Sequence, residues 1–583
     1  MFDFHFDIRS TDPDTDVTVS PIAAEDGIAQ YRILVRLPKK AAPSPVRIEW
    51  EDEMRDILGV WRPSCGTDHA VRQWFSPTVS RSCFHFGAPV LAVFGDLGKN
   101  RGTVAVADPV TPLEVRFWVK DLEQQNRVGF ALCLFTEATD PFETYETTLR
   151  IDCRPVPYSL AVEDVYPWWK ACGWSIPDPP RAAEDPLYSS WYNFHQAPNG
   201  EKLLEELKIA SELGFRTVIL DDGWQFPGPS CGDYSLCGEW QVAGDKFPDF
   251  RAFADAVHGY GMKLMVWFTV PFIGVKSPLF EAFRGKYLYI DRGLLQAGTL
   301  DIRYPEIRRI ILANYRRFLT EYDIDGFKFD FIDSFYPGAD AAPYDPAVMD
   351  CPTVGEAVRK LLDEITEELG AIKPDLLYEY RQNYVGPAVN RFGNMLRVGD
   401  CAYDANVNRI GTVDLRLLHY PVAVHSDMLF WAPSESLILC AKQLLGVMFS
   451  VPQISVLLTE STEEQKELIR AFLAYWVANR EILLHGAFMP ERPEANYPVI
   501  VAEGADKQIA VLYGERSFRV GEKPCDVFAD CGEDPLILEN MTDQRKTAEI
   551  YDRFGSFFLG TEELAPHTVR TIALPRAGMA RIL

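Results

Sequence analysis

The 583-residue sequence has no long apolar run: its hydrophobic stretches are short and broken by charge, as in R-T-V-I-L-D-D-G-W at 216–224. A bilayer-spanning helix needs about 20 consecutive apolar residues, so no membrane partner is expected. The opening M-F-D-F-H-F-D-I-R-S offers neither the basic nor the apolar part of a secretory signal, which points to the cytoplasm. Positive charge is also scarce. Against 84 Asp and Glu there are 58 Lys and Arg, a net charge of −26, which repels phosphate backbones and anionic lipid and excludes a nucleic-acid partner. The 12 cysteines are dispersed, with no C-x-x-C, and the 9 histidines form no H-E-x-x-H. Neither a zinc ribbon, a dithiol centre nor a catalytic metal is signalled, and no cofactor is expected. Cys231 and Cys237 share one loop and are near enough in sequence to pair.

What remains is an ordinary globular composition, 47% apolar and 24% charged, over a length that on a prior of about 150 residues per domain makes three to four domains. Residues 1–180 read as a β-sandwich: short alternating runs at 31–37, 90–94, 115–119 and 128–135 are separated by Gly, Pro, Asp and Asn. A Pro-rich stretch at 175–186 reads as a linker. From 186 to 490 the rhythm changes. Strand candidates at 188–192, 217–220, 263–268, 326–331, 376–380, 395–399, 422–425 and 454–458 alternate with amphipathic helical stretches such as G-E-K-L-L-E-E-L-K-I-A-S-E-L-G. Eight such units over some 300 residues predict an α/β fold, a central (β/α)8 TIM barrel. Short strands return at 495–583, the expected small C-terminal β domain.

In such a barrel, polar residues at the C-terminal ends of the strands face the mouth. Strand two ends in Asp221, Asp222, Gly223 and Trp224, strand three in Trp267, strand four in Lys328 and Asp330, strand five in Glu379, Tyr380 and Arg381, and strand six leads through Arg397 to Asp400. Each feature has a bland counterpart. Asp221 and Asp222 fit a helix cap, Lys328 and Asp330 a structural ion pair, the tryptophans core, and Arg397 with Asp400 a turn. Coincidence is what those readings explain poorly, because structural ion pairs have no need to gather at one mouth. Carboxylates beside aromatic faces are what a sugar ring requires. Retaining glycosidic cleavage needs two carboxyls about 5–5.5 Å apart, one ionised to attack and one protonated to assist the leaving oxygen. Asp330, beside cationic Lys328, suits the nucleophile. Asp400 suits the acid/base, its proton favoured by repulsion from Asp330 and opposed by Arg397.

At these residues the sequence resembles the α-galactosidases of glycoside hydrolase family 36, in the clan shared with family 27. The matching pieces, within 186–483, are L-D-D-G-W (220–224), G-E-W-Q-V-A-G-D-K-F-P (238–248), L-D-I-R-Y-P-E-I-R (300–308), D-G-F-K-F-D (325–330) and R-V-G-D (397–400). The resemblance implies a retaining, exo-acting α-galactosidase on oligosaccharide or glycoside substrates, with Asp330 as nucleophile and Asp400 as acid/base. It implies Asp221 and Asp222 on the sugar's 4- and 6-hydroxyls, Trp191 and Trp267 as walls, and Lys328 and Arg397 as cationic contacts, often in a homo-oligomer. Three departures stand out. W-F-T-V-P-F (267–272) replaces the family's W-F-E-P-E-M, and Y-R-Q-N-Y (380–384) replaces C-S-G-G-G, so that Tyr380 and Arg381 reshape the side of the pocket near the sugar's 2-position. Asp404 is a rival to Asp400 as the acid. The same mechanism on an N-acetylgalactosaminide or glucoside, a transglycosylase, and a non-catalytic carbohydrate-binding protein remain the alternatives.

Overall fold

The computed structural model describes residues 4–121, 126–530, 534–575 and 577–583. Among these residues the N-terminal part builds two six-stranded antiparallel sheets. One runs in the order Asp7–Ser10, Val46–Glu53, Arg127–Leu134, Leu113–Val119, Thr78–Cys83 and Phe86–Gly87. The other runs Asp16–Glu25, Ile28–Ala41, Phe142–Asp152, Asn100–Val106, Val90–Phe94 and Gly59–Trp61. Strict alternation packs them face to face. In Ile28–Ala41 the side chains of Tyr31, Ile33, Val35 and Leu37 are buried while Arg32 and Arg36 face solvent. Ile33 and Val35 join Ile48, Trp50, Val104 and Leu132 in a core separate from that of the barrel. Two short helices, Tyr158–Glu163 and Val165–Ala171, follow where the sequence reading had only strand and linker. They are anchored from the second, where the buried Trp169 donates its indole N–H to the Val106 carbonyl at 2.8 Å.

The barrel strands are β1 (Leu187–Ser189), β2 (Thr217–Leu220), β3 (Lys263–Thr269), β4 (Gly326–Asp330), β5 (Leu377–Arg381), β6 (Met395–Arg397), β7 (Ala423–His425) and β8 (Gln453–Ile454). They pair in parallel in sequence order, with β8 beside β1. The ring closes between β7 and β8, where Ser426 N–H donates to Val451 O at 3.1 Å and Val451 N–H to Val424 O at 2.8 Å. Helices cover the outside: α1 (Gly200–Leu213), α2 (Phe250–Gly259), α3 (Pro305–Tyr322), α4 (Val354–Ile372), α5 (Ala405–Leu417), α6 (Leu437–Gly446) and α7 (Glu463–His485). Their starts are written in the sequence. Asn199, Asp249, Thr353, Asp404 and Ser436 accept backbone N–H groups as N-caps, and Thr462 with Gln465 makes a full capping box on α7.

Beyond the barrel a seven-stranded and a three-stranded sheet enclose a third core of Val499, Val501, Leu512, Val527 and Leu538. The N-terminal sandwich leans on the barrel mouth. His85 Nε2 meets the Phe335 carbonyl at 2.8 Å, Gly87 N–H donates to Asn383 O at 2.7 Å, and Gln382 donates to Pro63 O at 2.9 Å. These contacts fix the loops after β4 and β5, where the polar side chains cluster. Among the described residues no helix is long and apolar enough to cross a membrane.

Candidate active site

Strand parity sorts the side chains of the mouth. On β4 Phe327 and Phe329 point outward, where both stack with Tyr378 and lie against Tyr315 of α3. Lys328 and Asp330 therefore point in, beside their register partners Trp267 and Thr269 on β3. Glu379 lies opposite Lys328 on β5, and Arg381 opposite Arg397 on β6. The barrel interior is thus lined by carboxylates and cations in alternation.

Asp330 is held from three sides. Arg381 Nε donates to its Oδ1 at 2.5 Å, Phe331 N–H to the same oxygen at 2.9 Å, and Trp267 Nε1 to Oδ2 at 3.1 Å. The Phe331 backbone donor is presented by a left-handed turn, φ 65°, immediately after the strand. Burial alone raises the Asp330 carboxyl, but Arg381 first and Lys328 second outweigh it, and with the Arg381 and Trp267 hydrogen bonds they hold it down to about 2. Lys328, expected from the sequence to partner Asp330, pairs instead with Asp221 at 2.6 Å. The closer cation on Asp330 is Arg381.

Asp221 and Asp222 leave β2 on a turn that needs glycine. Gly223 adopts φ 107°, and a Cβ there would meet the Gln196 backbone at 2.4 Å. That close approach lets Gln196 donate to Asp222 Oδ2 at 2.7 Å while Gln225 donates to Oδ1 at 2.6 Å. Burial pushes Asp222 up to about 6 against those two donors. Each oxygen of both carboxylates keeps a lone pair for a further donor. Trp191, half-buried at the start of a short helical turn, stands edge-on to His195 with ring centroids 5.0 Å apart.

Arg397 is the hub of the opposite side. It reaches Asp427 at 2.6 Å, Asp400 at 2.9 Å and Glu379 at 3.5 Å. The protein crowding one side of the exposed Asp400 favours a proton there, but Arg397 and then Lys328 prevail over that and over repulsion from Asp330, so the resting carboxyl is lowered. The proton expected there from the sequence is absent at rest because Arg397 sits at hydrogen-bonding distance. Asp404 is spent otherwise: its carboxylate caps α5, accepting from Asn406 and Val407 N–H, each at 3.0 Å.

With this geometry in view, the Melibiase family model matches residues 182–344. A melibiase-like domain therefore occupies residues 182–344 of the chain. Among curated relatives, alpha-galactosidase Mel36A of Lactobacillus acidophilus is 29% identical over 149 residues, 25% of this chain and 20% of that protein. The bifunctional alpha-galactosidase/sucrose kinase AgaSK of Mediterraneibacter gnavus is 30% identical over 152 residues, 25% of this chain and 16% of that protein. The matched stretch therefore spans a fifth or less of these relatives. The GH36 alpha-galactosidase AgaA of Geobacillus stearothermophilus, solved in complex with raffinose, superposes with a TM-score of 0.67 over 97% of this chain and 81% of that one. At 14% identity that likeness speaks for the fold alone.

Two residues expected in the melibiase-like site lie elsewhere. Trp224 is fully buried behind β2 and β3, packed against Trp240, Phe268 and Phe318, with its indole N–H on the Trp267 carbonyl at 3.0 Å. Tyr380 alternates outward between Glu379 and Arg381 and packs edge-on against Tyr384, away from the mouth. Cys231 and Cys237 do not pair: both are free thiols, Cys231 donating to Asp233 O at 3.1 Å and Cys237 accepting from Gln225 at 3.4 Å. Sequence reasoning set Glu379 at the end of strand five without giving it a role and missed Asp427; both pair with Arg397, and Tyr192, also missed, donates to Asp427 at 2.9 Å. Period-two counting back from Arg381 would have turned Glu379 inward with it, and counting on from His425 would have found Asp427.

Proposed function

We propose that the chain is an exo-acting retaining α-galactosidase, with Asp330 the nucleophile and Asp400 the acid/base. The observation that carries this reading is the unequal setting of the two carboxylates at one barrel mouth. Asp330 is 12% exposed and held ionised by three donors, whereas Asp400 is 64% exposed and tethered by Arg397. In the first half-reaction an Asp330 oxygen would bond the anomeric carbon as the glycosidic C–O bond breaks, and Asp400 would give its proton to the departing oxygen. In the second, Asp400 would take a proton from the water that attacks the same carbon and frees Asp330.

Asp400 must first gain a proton, and its setting permits that. Arg397 retains Asp427 and Glu379 as partners when Asp400 swings off it, so no buried cation is stranded. In this reading Asp221 and Asp222 would accept sugar hydroxyls, and Trp191 and Trp267 would cover C–H faces. The relatives named alpha-galactosidases, and the raffinose and stachyose bound by Geobacillus AgaA, support an oligosaccharide substrate. The free thiols of Cys231 and Cys237 in one loop suit a reducing cytoplasm.

A second reading, another α-hexoside under the same mechanism, is favoured by Arg381, whose guanidinium occupies the flank of Asp330. Purified chain assayed on aryl α-galactoside, α-N-acetylgalactosaminide and α-glucoside separates the two. Galactoside turnover that vanishes in a folded Asp330→Asn variant is expected. Hydrolysis of another member of the panel alone selects the second reading, transfer to an added sugar in place of hydrolysis selects a transglycosylase, and binding without turnover on any member ends both.

A further inference from the structure

The N-terminal sandwich meets the barrel at a second polar cluster that shares no residue with the mouth. Cys65 and His69 lie in one tight loop, folded by Cys65 N–H on Arg62 O at 3.0 Å and Asp68 N–H on Cys65 O at 2.9 Å. They converge on Asp414, which projects from the middle of α5 and is fully buried. One ligand atom from each of the three lies within 4.8 Å of the other two. We propose that Cys65, His69 and Asp414 form a buried structural site for a divalent cation of the zinc type, clipping the sandwich to the barrel.

Four features point to a cation. First, His69 is only 9% exposed, yet neither ring nitrogen has a hydrogen-bond partner. The ring stands edge-on to Phe94 and Tyr497, at 5.6 and 5.9 Å, with the Pro493 backbone near it but outside good hydrogen-bond geometry. A desolvated, unpaired imidazole is costly unless something accepts its lone pair.

Second, Asp414 is a buried carboxyl to which no Lys or Arg among the described residues is ion-paired. Its oxygens are oriented by neutral donors alone, Trp61 Nε1 at 2.9 Å on Oδ1 and Gly66 N–H at 3.0 Å on Oδ2. Hydrogen bonds of that kind are what hold a metal-ligating carboxylate in place while sparing a lone pair for the ion. Third, Cys65 Sγ lies 3.7 Å from both Asp414 oxygens. That is close to the roughly 3.5 Å edge of a tetrahedron with Zn–S near 2.3 Å and Zn–O near 2.0 Å. Fourth, the donor set discriminates. Thiolate with imidazole selects zinc over magnesium or calcium, and a carboxylate completes a three-ligand set whose fourth corner water can fill. Binding is balanced by release of the Cys65 thiol proton and of any proton the Asp414 carboxyl carries.

The test loads the full chain with Zn²⁺ or Co²⁺, removes free metal by gel filtration and counts what remains. One Zn²⁺ per chain is expected, with a thiolate-to-cobalt charge-transfer band in the Co²⁺ form and a lower Tm after chelation. Cys65→Ser and His69→Gln should lose the metal, while kcat per folded molecule stays unchanged. Should either variant fail to fold, Asp414→Asn preserves the shape facing Trp61 and Gly66 and should weaken Zn²⁺ binding at least about tenfold. A wild-type chain that leaves the column without stoichiometric metal overturns the proposal, and so does metal that Cys65→Ser and Asp414→Asn retain with wild-type affinity.

Discussion

The two ends of the mouth are built on opposite plans. At the β4 end Asp330 is sunk at the tip of its strand, its two oxygens fixed by Arg381, Phe331 N–H and Trp267. At the β6 end Asp400 lies beyond its strand, open to solvent, on a single partner that has two other carboxylates to turn to. A group that must attack along one line gains from immobility, because orientation paid in folding need not be paid in the reaction. A group that must first accept and then return a proton gains from a reversible tether. The difference supports the proposed roles better than either pKa does, since both carboxyls are lowered at rest.

The sharpest way to break that comparison is to remove each carboxylate and supply azide. Asp330→Ala should lower kcat on an aryl α-galactoside by roughly 10⁴-fold or more. Azide entering the vacated position attacks from the β face, so the rescued product should be the β-galactosyl azide. Asp400→Ala leaves the nucleophile in place. A good leaving group should still depart, the glycosyl-enzyme should accumulate, and azide should enter from the opposite face to give the α-galactosyl azide. Product anomers read by NMR decide the matter. The reverse pattern would exchange the two roles, and the same anomer from both variants would dismiss double displacement across this pair.

A smaller effect sharpens the β4 half of the contrast. Arg381→Met removes the principal attraction opposing burial of Asp330. With a folded value of about 2 against about 3.9 in the unfolded chain, the carboxyl contributes stability that is complete above about pH 4 and fades as the pH falls through 2. The variant should therefore unfold at lower urea at pH 7, and the gap should narrow as the pH approaches 2. The acid limb of kcat/KM should move upward by the same cause. Parallel stability curves between pH 7 and 2.5 would show that something other than Arg381 keeps Asp330 ionised.

Legibility in the sequence followed the range of the interactions involved. The eight barrel strands and the starts of α1, α2 and α4 are visible because apolar runs and capping residues act over a few positions. Carboxylates at strand ends are visible for the same reason. What failed is what depends on facing direction or on distant chain. Trp224 and Tyr380 are neighbours of site residues in the sequence, but one step along a strand or past its end carries a side chain to the other face. That Lys328 pairs with Asp221, 107 residues away, and Arg381 with Asp330, 51 residues away, follows from the order of strands around the ring. The meeting of Cys65 with Asp414 across 349 residues has no local signature at all.

The smallest expected effect bears on the β6 half, where two aspartates stand four residues apart. Asp404 receives the first backbone N–H groups of α5, and Asp400 receives Arg397. A cap is worth about 1 kcal/mol to its helix and nothing to a leaving group. Asp404→Ala should therefore lower the Tm slightly, keep kcat on both activated and natural leaving groups, and yield no azide product. Asp404→Asn, whose side-chain carbonyl can still accept from Asn406 and Val407, should recover the Tm. A variant whose activity falls steeply with the pKa of the leaving group, while its stability is untouched, would make Asp404 the proton donor and leave Asp400 as no more than a partner of Arg397.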